Sequence, residues 1–124
     1  MKLLLDTHVV LWWLSDDPTL ADDIKDRIDH DPEVYLSPVT IWEIAIKQAI
    51  GKIAEPADLP ERVRATRLPE IAITSEHALV AGRLPLHHRD PFDRMLVAQA
   101  RCEGLALVTR DTRIPDYDVT VLPA

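Results

Sequence analysis

An α/β fold, with a parallel sheet covered by helices on both faces, is predicted from three observations. Short apolar runs alternate along the chain with longer stretches of helical period. Those runs are apolar throughout rather than at every second residue, as strands buried on both faces are. Serine, aspartate, proline and glycine stand where the helices should begin and end. With 124 residues, 47% of them hydrophobic, the chain is long enough for one compact domain spanning 1–124, and no linker, repeat or low-complexity tract divides it.

Lys2 to Asp6 reads as the first buried strand, and the turn at Asp6-Thr7 starts a short helix to about Leu14. The same opening, MKLLLDTHVVLWWL, is interrupted by Asp6 and His8 and leads into Ser15-Asp16-Asp17, which is unlike a secretory leader and its small-residue cleavage site. No segment reaches the roughly 18 apolar residues of a membrane span. A cytoplasmic location without membrane contact is therefore expected, and Cys102, unable to form an internal disulfide, agrees with a reducing compartment and reads as a small core residue. Val9 to Leu14 is apolar on every side of its helix, which asks for burial on more than one side. Complete burial within the monomer and contact with a second subunit are equal alternatives. Trp12, Trp13 and Trp42 read as core or interface anchors.

Pro18 to about His30 is a charged helix, and Val34 to Leu36 a strand. Ser37 caps the next helix, with Pro38 in its first turn, where a missing N–H costs nothing; Gly51 closes it. Pro56 to Leu68 holds loop and helix, ended by Pro69, and Glu70 to Ile73 is a short strand. Ser75 caps a helix to about Leu84. After the His87-His88-Arg89 loop, Asp90 caps a helix from Pro91 to Glu103 that Gly104 ends. Leu105 to Val108 is a strand and Val119 to Leu122 an edge strand.

Fourteen basic against twenty-one acidic side chains give a net charge of −7, the wrong sign for holding nucleic acid by bulk electrostatics. The charge is uneven: eight acids fall between Asp16 and Glu33, while nine of the ten arginines lie from Arg62 to Arg113. A local basic surface on an acidic protein is compatible with that distribution.

Four acids occupy the rim where ligands bind in open parallel sheets, beyond the carboxyl ends of the strands. Asp6 ends the first strand, and taken alone is an ordinary helix cap. Glu43 falls within a stripe of Val39, Ile46 and Ile50, where a carboxylate needs a partner or a metal; a structural ion pair with an arginine is the competing explanation. Asp93 shares a helix face with Leu96, Val97 and Ala100, with Asp90 as the cap before it. Asp111 follows a strand, where an Asx-turn would also explain it. Two carboxylates about 4 Å apart repel by about 4 kcal/mol at an effective dielectric near 20, so four gathered on one rim demand a cation. Oxygen-only ligands suit Mg²⁺ or Mn²⁺, and such a centre meets the requirements of phosphodiester hydrolysis.

LLLDTHVVLWWL, SPVTIWEIAIK, HHRDPFDRMLVAQA and LVTRD resemble, in order and spacing, the segments of PIN-domain ribonucleases, specifically the VapC toxin type of toxin–antitoxin modules. The resemblance implies a three-layer α/β/α sandwich with a parallel sheet of about five strands. It implies Mg²⁺- or Mn²⁺-dependent endonucleolytic cleavage of RNA, a homodimer, and a cognate antitoxin as partner. The family's acidic centre carries over to Asp6, Glu43, Asp93 and Asp111, with Asp90, Thr7 and Thr109 beside it. His87, His88, Arg89, Arg94 and Arg110 are then candidates for RNA contact. Paired histidines at 87 and 88 make a poor transition-metal site, since neighbours in a loop rarely face one ion. A haloacid-dehalogenase-type phosphotransferase would have an aspartate where His8 stands. A receiver-like metal-binding signalling domain without nuclease activity is the alternative, but receivers use a late lysine and none follows Lys52.

Overall fold

The computed structural model describes residues 1–54, 56–87 and 90–124. Four parallel strands, β1 (Leu3–Leu5), β2 (Val34–Tyr35), β3 (Ala106–Thr109) and β4 (Val121–Pro123), form a sheet in the order β2-β1-β3-β4. The central pairing sets Leu3 beside Ala106 and Leu5 beside Val108, so the two ends of the sequence meet in the middle of the sheet. Among the described residues six α-helices surround it: α1 (Thr7–Leu14), α2 (Asp22–His30), α3 (Pro38–Ala49), α4 (Leu59–Ala65), α5 (Ser75–Arg83) and α6 (Pro91–Glu103). Among the described residues, no helix is long and apolar enough to cross a membrane.

Alternation along the strands divides the core into two. Leu3, Leu5, Ala106 and Val108 pack with Val9, Val10, Ile24, Ile28 and Val63. Leu4 and Leu107 face the other way, onto Leu96, Val97, Ala100 and Ile114. A side-chain period of two thus supplies both faces of a sheet whose strands are apolar throughout, and the result is the expected three-layer sandwich.

Several boundaries differ from the sequence expectation for identifiable reasons. The Glu70–Ile73 strand shrinks to one parallel bridge, Leu36 to Glu70, so the sheet has four strands plus this bridge. The second helix starts at Asp22 rather than Pro18 because the Asp17 carboxylate accepts the Thr19 N–H at 2.8 Å, a local turn that competes with helix. Thr74, not Ser75, caps α5, in a reciprocal box with His77. The last strand begins at Val121, after Val119 has bonded back to the Tyr117 carbonyl. In α3 the buried face is Val39, Thr40, Glu43 and Ile44, while Ile50, past the helix end, is exposed. Cys102 is half-buried rather than core. Of α1, Val9 and Val10 are buried and Leu11 through Leu14 half-buried, so the monomer does not cover the whole helix.

Candidate metal centre

Each of the four acids comes from a different part of the fold: Asp6 from the β1–α1 junction, Glu43 from the middle of α3, Asp93 from the first turn of α6 and Asp111 from the turn after β3. Asp6 sits between β1 and α1, its N–H donating to the Val108 carbonyl at 3.0 Å. It has the backbone of a helix cap, yet its side chain caps nothing: Oδ2 instead accepts the Thr109 hydroxyl at 2.7 Å. Oδ1 is buried without a hydrogen-bond partner among the described residues. Glu43, 2% exposed, receives the Thr7 hydroxyl on Oε1 at 2.7 Å and the Lys47 amine on Oε2. With its proton given to Glu43, the Thr7 hydroxyl is the acceptor of its 3.1 Å contact with Thr40. The Thr109 hydroxyl also accepts the Asp111 N–H at 3.1 Å.

Asp90 and Asp93 open α6. Asp90 is the cap, accepting the Phe92 N–H at 2.9 Å and, at the long distance of 3.5 Å, that of Asp93. Asp111 accepts the Arg113 N–H at 2.9 Å in an Asx-turn, and the Arg113 guanidinium at 3.2 Å on both oxygens. The turn expected as a competing explanation is therefore present, and it holds Asp111 half-buried at the rim.

The electrostatics bring these positions together. Burial pushes the Asp93 carboxyl up to about 8 from 3.8, and Asp6, Asp90, Glu43 and Asp111 each add repulsion. Burial also raises Asp6, against the Thr109 hydroxyl and the charge of His8, which favour its ionised form. The other predicted ligands, and Asp90, thus act on Asp93, and Glu43 acts on Asp6 as well. Among the described residues, however, no three acids or histidines already stand as a ligand set; Lys47 and Arg113 hold Glu43 and Asp111 in ion pairs. The donor set fits a hard divalent cation: it is all oxygen, it carries excess negative charge, and Asp6 offers a buried oxygen with nothing bonded to it.

Concavities of about 290 and 330 Å³ flank the centre, one lined by Asp6, His8, Trp12, Arg110 and Asp111, the other by Thr7, His8, Glu43, Lys47 and Lys52. A larger depression of about 590 Å³, lined by Gly104, Ala106 and Thr120 among others, lies at the opposite ends of the strands. Chemistry favours the smaller pair, because they reach Asp6, Glu43 and Asp111.

The family model described as "PIN domain" matches residues 3–119. Ribonuclease VapC22 of Mycobacterium tuberculosis (strain ATCC 25618 / H37Rv) is 32% identical over 123 residues, 93% of this chain and 91% of that protein. The chain belongs to the PIN-domain family, in its VapC branch. The chain is similar in fold to VapBC2 from Rickettsia felis bound to a promoter DNA fragment, with a TM-score of 0.76, 15% identity, and 100% and 99% of the two chains covered. DNA-bound VapBC from Salmonella typhimurium gives 0.70 at 20% identity, covering 99% and 98%.

In this PIN domain Arg94, a candidate for RNA contact from the sequence, is engaged within the fold. Only 9% exposed, it donates Nη1 to the Pro85 carbonyl and Nη2 to those of Ala81 and Leu84, at 2.9–3.0 Å. It is a bolt between α6 and the end of α5. Arg110 ties down the chain end, donating to the Ala124 carbonyl at 2.8 Å and the Thr19 carbonyl at 2.6 Å while lying 4.5 Å over the Trp12 ring. His87, exposed, packs edge-on against Tyr117. His88 and Arg89 lie outside the described residues. Lys47 and Lys52 were missed, although Lys47 follows Glu43 by one helical turn, a spacing that marks an ion pair.

The Asp93 shift has a measurable consequence. The folded protein keeps a proton that the unfolded chain releases near 3.8. This contribution is therefore fully present below about pH 4 and disappears as pH rises through about 8, a loss on the order of a few kcal/mol. Asp17 and Asp31, lowered by hydrogen bonds, titrate below that window. In EDTA, the melting temperature should fall from about pH 5 to about pH 8.5, and Asp93→Asn should flatten the fall. A wild-type melting temperature that climbs across this range contradicts the assignment.

Proposed function

We propose that the protein is a divalent-metal-dependent endoribonuclease that acts in the cytoplasm as the toxin of a toxin–antitoxin module. The observation that carries this reading is the convergence of Asp6, Asp90, Glu43 and Asp111 on the buried Asp93 at one rim of the sheet, where burial first and then their charges raise its carboxyl. The relative named Ribonuclease VapC22 supports RNA as substrate, and the VapBC complexes support an antitoxin as partner.

Asp6, Glu43, Asp93 and Asp111 would hold Mg²⁺ or Mn²⁺, which supplies Lewis acidity and charge neutralisation for phosphodiester hydrolysis. Thr109 and Thr7 fix the carboxylates of Asp6 and Glu43, so these two side chains are oriented before any ligand arrives. Asp90 anchors the helix start that presents Asp93. The half-exposed apolar side of α1 suits a partner protein or second copy: Leu11 and Leu14 line a concavity of about 350 Å³ with Ile53, Pro56 and Leu59.

Hydrolysis by water leaves a 5′-phosphate and a 3′-OH, whereas attack by the RNA's own 2′-OH leaves a 2′,3′-cyclic phosphate. The downstream fragment of an end-labelled RNA should therefore be degraded by a 5′-phosphate-dependent exonuclease without prior kinase treatment. EDTA should stop the reaction and Mn²⁺ restore it. A cyclic phosphate formed equally well in EDTA would reject the four-carboxylate reading.

A further inference from the structure

We propose that Lys47 and Lys52 form a phosphate-binding wall beside the acidic centre, which takes a backbone phosphate of the RNA next to the one being cleaved. The proposal rests on the ribonuclease reading above. Its origin is the way α3 ends. Gly51, at φ +78°, turns the chain so that its own N–H reaches the Gln48 carbonyl at 3.1 Å and the Lys52 N–H reaches the Lys47 carbonyl at 2.8 Å. Helix ends closed by this pair of bonds commonly bring an apolar contact together at the two positions that Lys47 and Lys52 occupy here. The fold thus gathers two like charges where packing usually prefers apolar groups.

Lys47 has Glu43 as a counter-charge, while Lys52 has no ion-pair partner among the described residues. Favourable interaction with the helix dipole accounts for lysines near a helix end. It does not account for their sharing a concavity of about 330 Å³ with Thr7, His8 and Glu43. That concavity joins the carboxylate centre directly, through Thr7 and Glu43. On a chain of net charge −7, a polyanion needs such a local pair of cations at the place where it must lie, because the average field repels it. Lysine suits the task as a mobile point charge on a long stem, able to meet a phosphate without reading a base.

The test is binding of fluorescein-labelled single-stranded RNAs of several sequences in an Asp6→Asn background, where cleavage is blocked. Adding Lys52→Ala should weaken binding about fivefold for every sequence and reduce the slope of log K against log salt by about 0.7, the signature of one lost phosphate contact. Lys47→Met should weaken it at least as much, Lys52→Arg should retain the slope, and Lys25→Ala, on α2, should change nothing. Unchanged affinity and slope in a folded Lys52→Ala protein overturn the wall while leaving the ribonuclease reading intact. Failure of the Asp6→Asn protein itself to bind any RNA strikes that reading first, and the wall with it. Loss of a co-purifying protein partner from Lys52→Ala with RNA binding unchanged would assign the surface to protein, and overturn the proposal too.

Discussion

Asp6→Asn should lower RNA cleavage by about a hundredfold or more, because it removes a full ligand charge from the proposed all-oxygen divalent site. The protein should nonetheless fold, and its melting temperature should hold or rise. The asparagine side chain can keep its carbonyl oxygen toward the Thr109 hydroxyl, the bond that Oδ2 of Asp6 accepts now. Its amide nitrogen then takes the place of Oδ1, which has no hydrogen-bond partner, and offers N–H groups to a cluster of carboxylates. Removing one negative charge also relieves Asp93, on which Asp6 exerts the largest repulsion after burial. Expression of the wild-type protein should arrest bacterial growth and expression of the variant should not. A folded Asp6→Asn protein that cleaves RNA and stops growth like the wild type would remove the metal centre from the mechanism.

Arg94→Met is expected to act on stability, by about 3–5 kcal/mol, because it strands buried carbonyls that one guanidinium now satisfies. Helix C-termini leave four carbonyls without intrahelical donors. In α5, Ala81 and Gly82 belong to that set, and Leu84 and Pro85 lie just beyond it; Arg94 reaches all of them. Methionine keeps much of the stem's packing but no donor. A loss of that size is a large share of the roughly 5–15 kcal/mol typical of a domain, so much of the variant should be unfolded or insoluble. Lysine should rescue little, since a single amine cannot span carbonyls spread over five residues. The check is the urea midpoint of wild type and variants. An Arg94→Met protein with an unchanged midpoint and weakened RNA binding would restore Arg94 to the substrate surface.

Arg94 also marks where sequence reasoning stops. Helix ends set by one or two residues were legible: Ser37 with Pro38, Asp90 with Pro91, and Gly104 in the left-handed conformation all act locally. So was the placement of Asp6 and Asp111, because an apolar strand shows where it ends. The role of Arg94 depends on carbonyls nine to thirteen residues upstream, released by a helix whose end no motif announces. A loop arginine and a buried one look alike in sequence. The Glu70–Ile73 run satisfied the apolar pattern of a strand, yet only Leu36 pairs with it, since pairing needs a neighbour of matching length and β2 is two residues long. Glu43 was legible as a misplaced charge, but Ile46 and Ile50 were poor guides to its face, which Thr40 and Ile44 share instead.

The central pairing of β1 with β3 has a further consequence for when activity begins. Asp6 and Thr109 are separated by 103 positions, and β1 cannot find its inner neighbour until Ala106–Thr109 has been made. A chain growing from its N-terminus therefore carries Asp6, Glu43 and Asp93 as separate acids through most of its synthesis. At about 5–20 residues per second, that interval lasts roughly 5–20 s for each new molecule. Closure of the sheet by β3 works as a clock: a nascent or prematurely terminated chain lacking Ala106–Thr109 cannot bring Thr109 to Asp6, so the proposed centre is assembled only after that strand has been made.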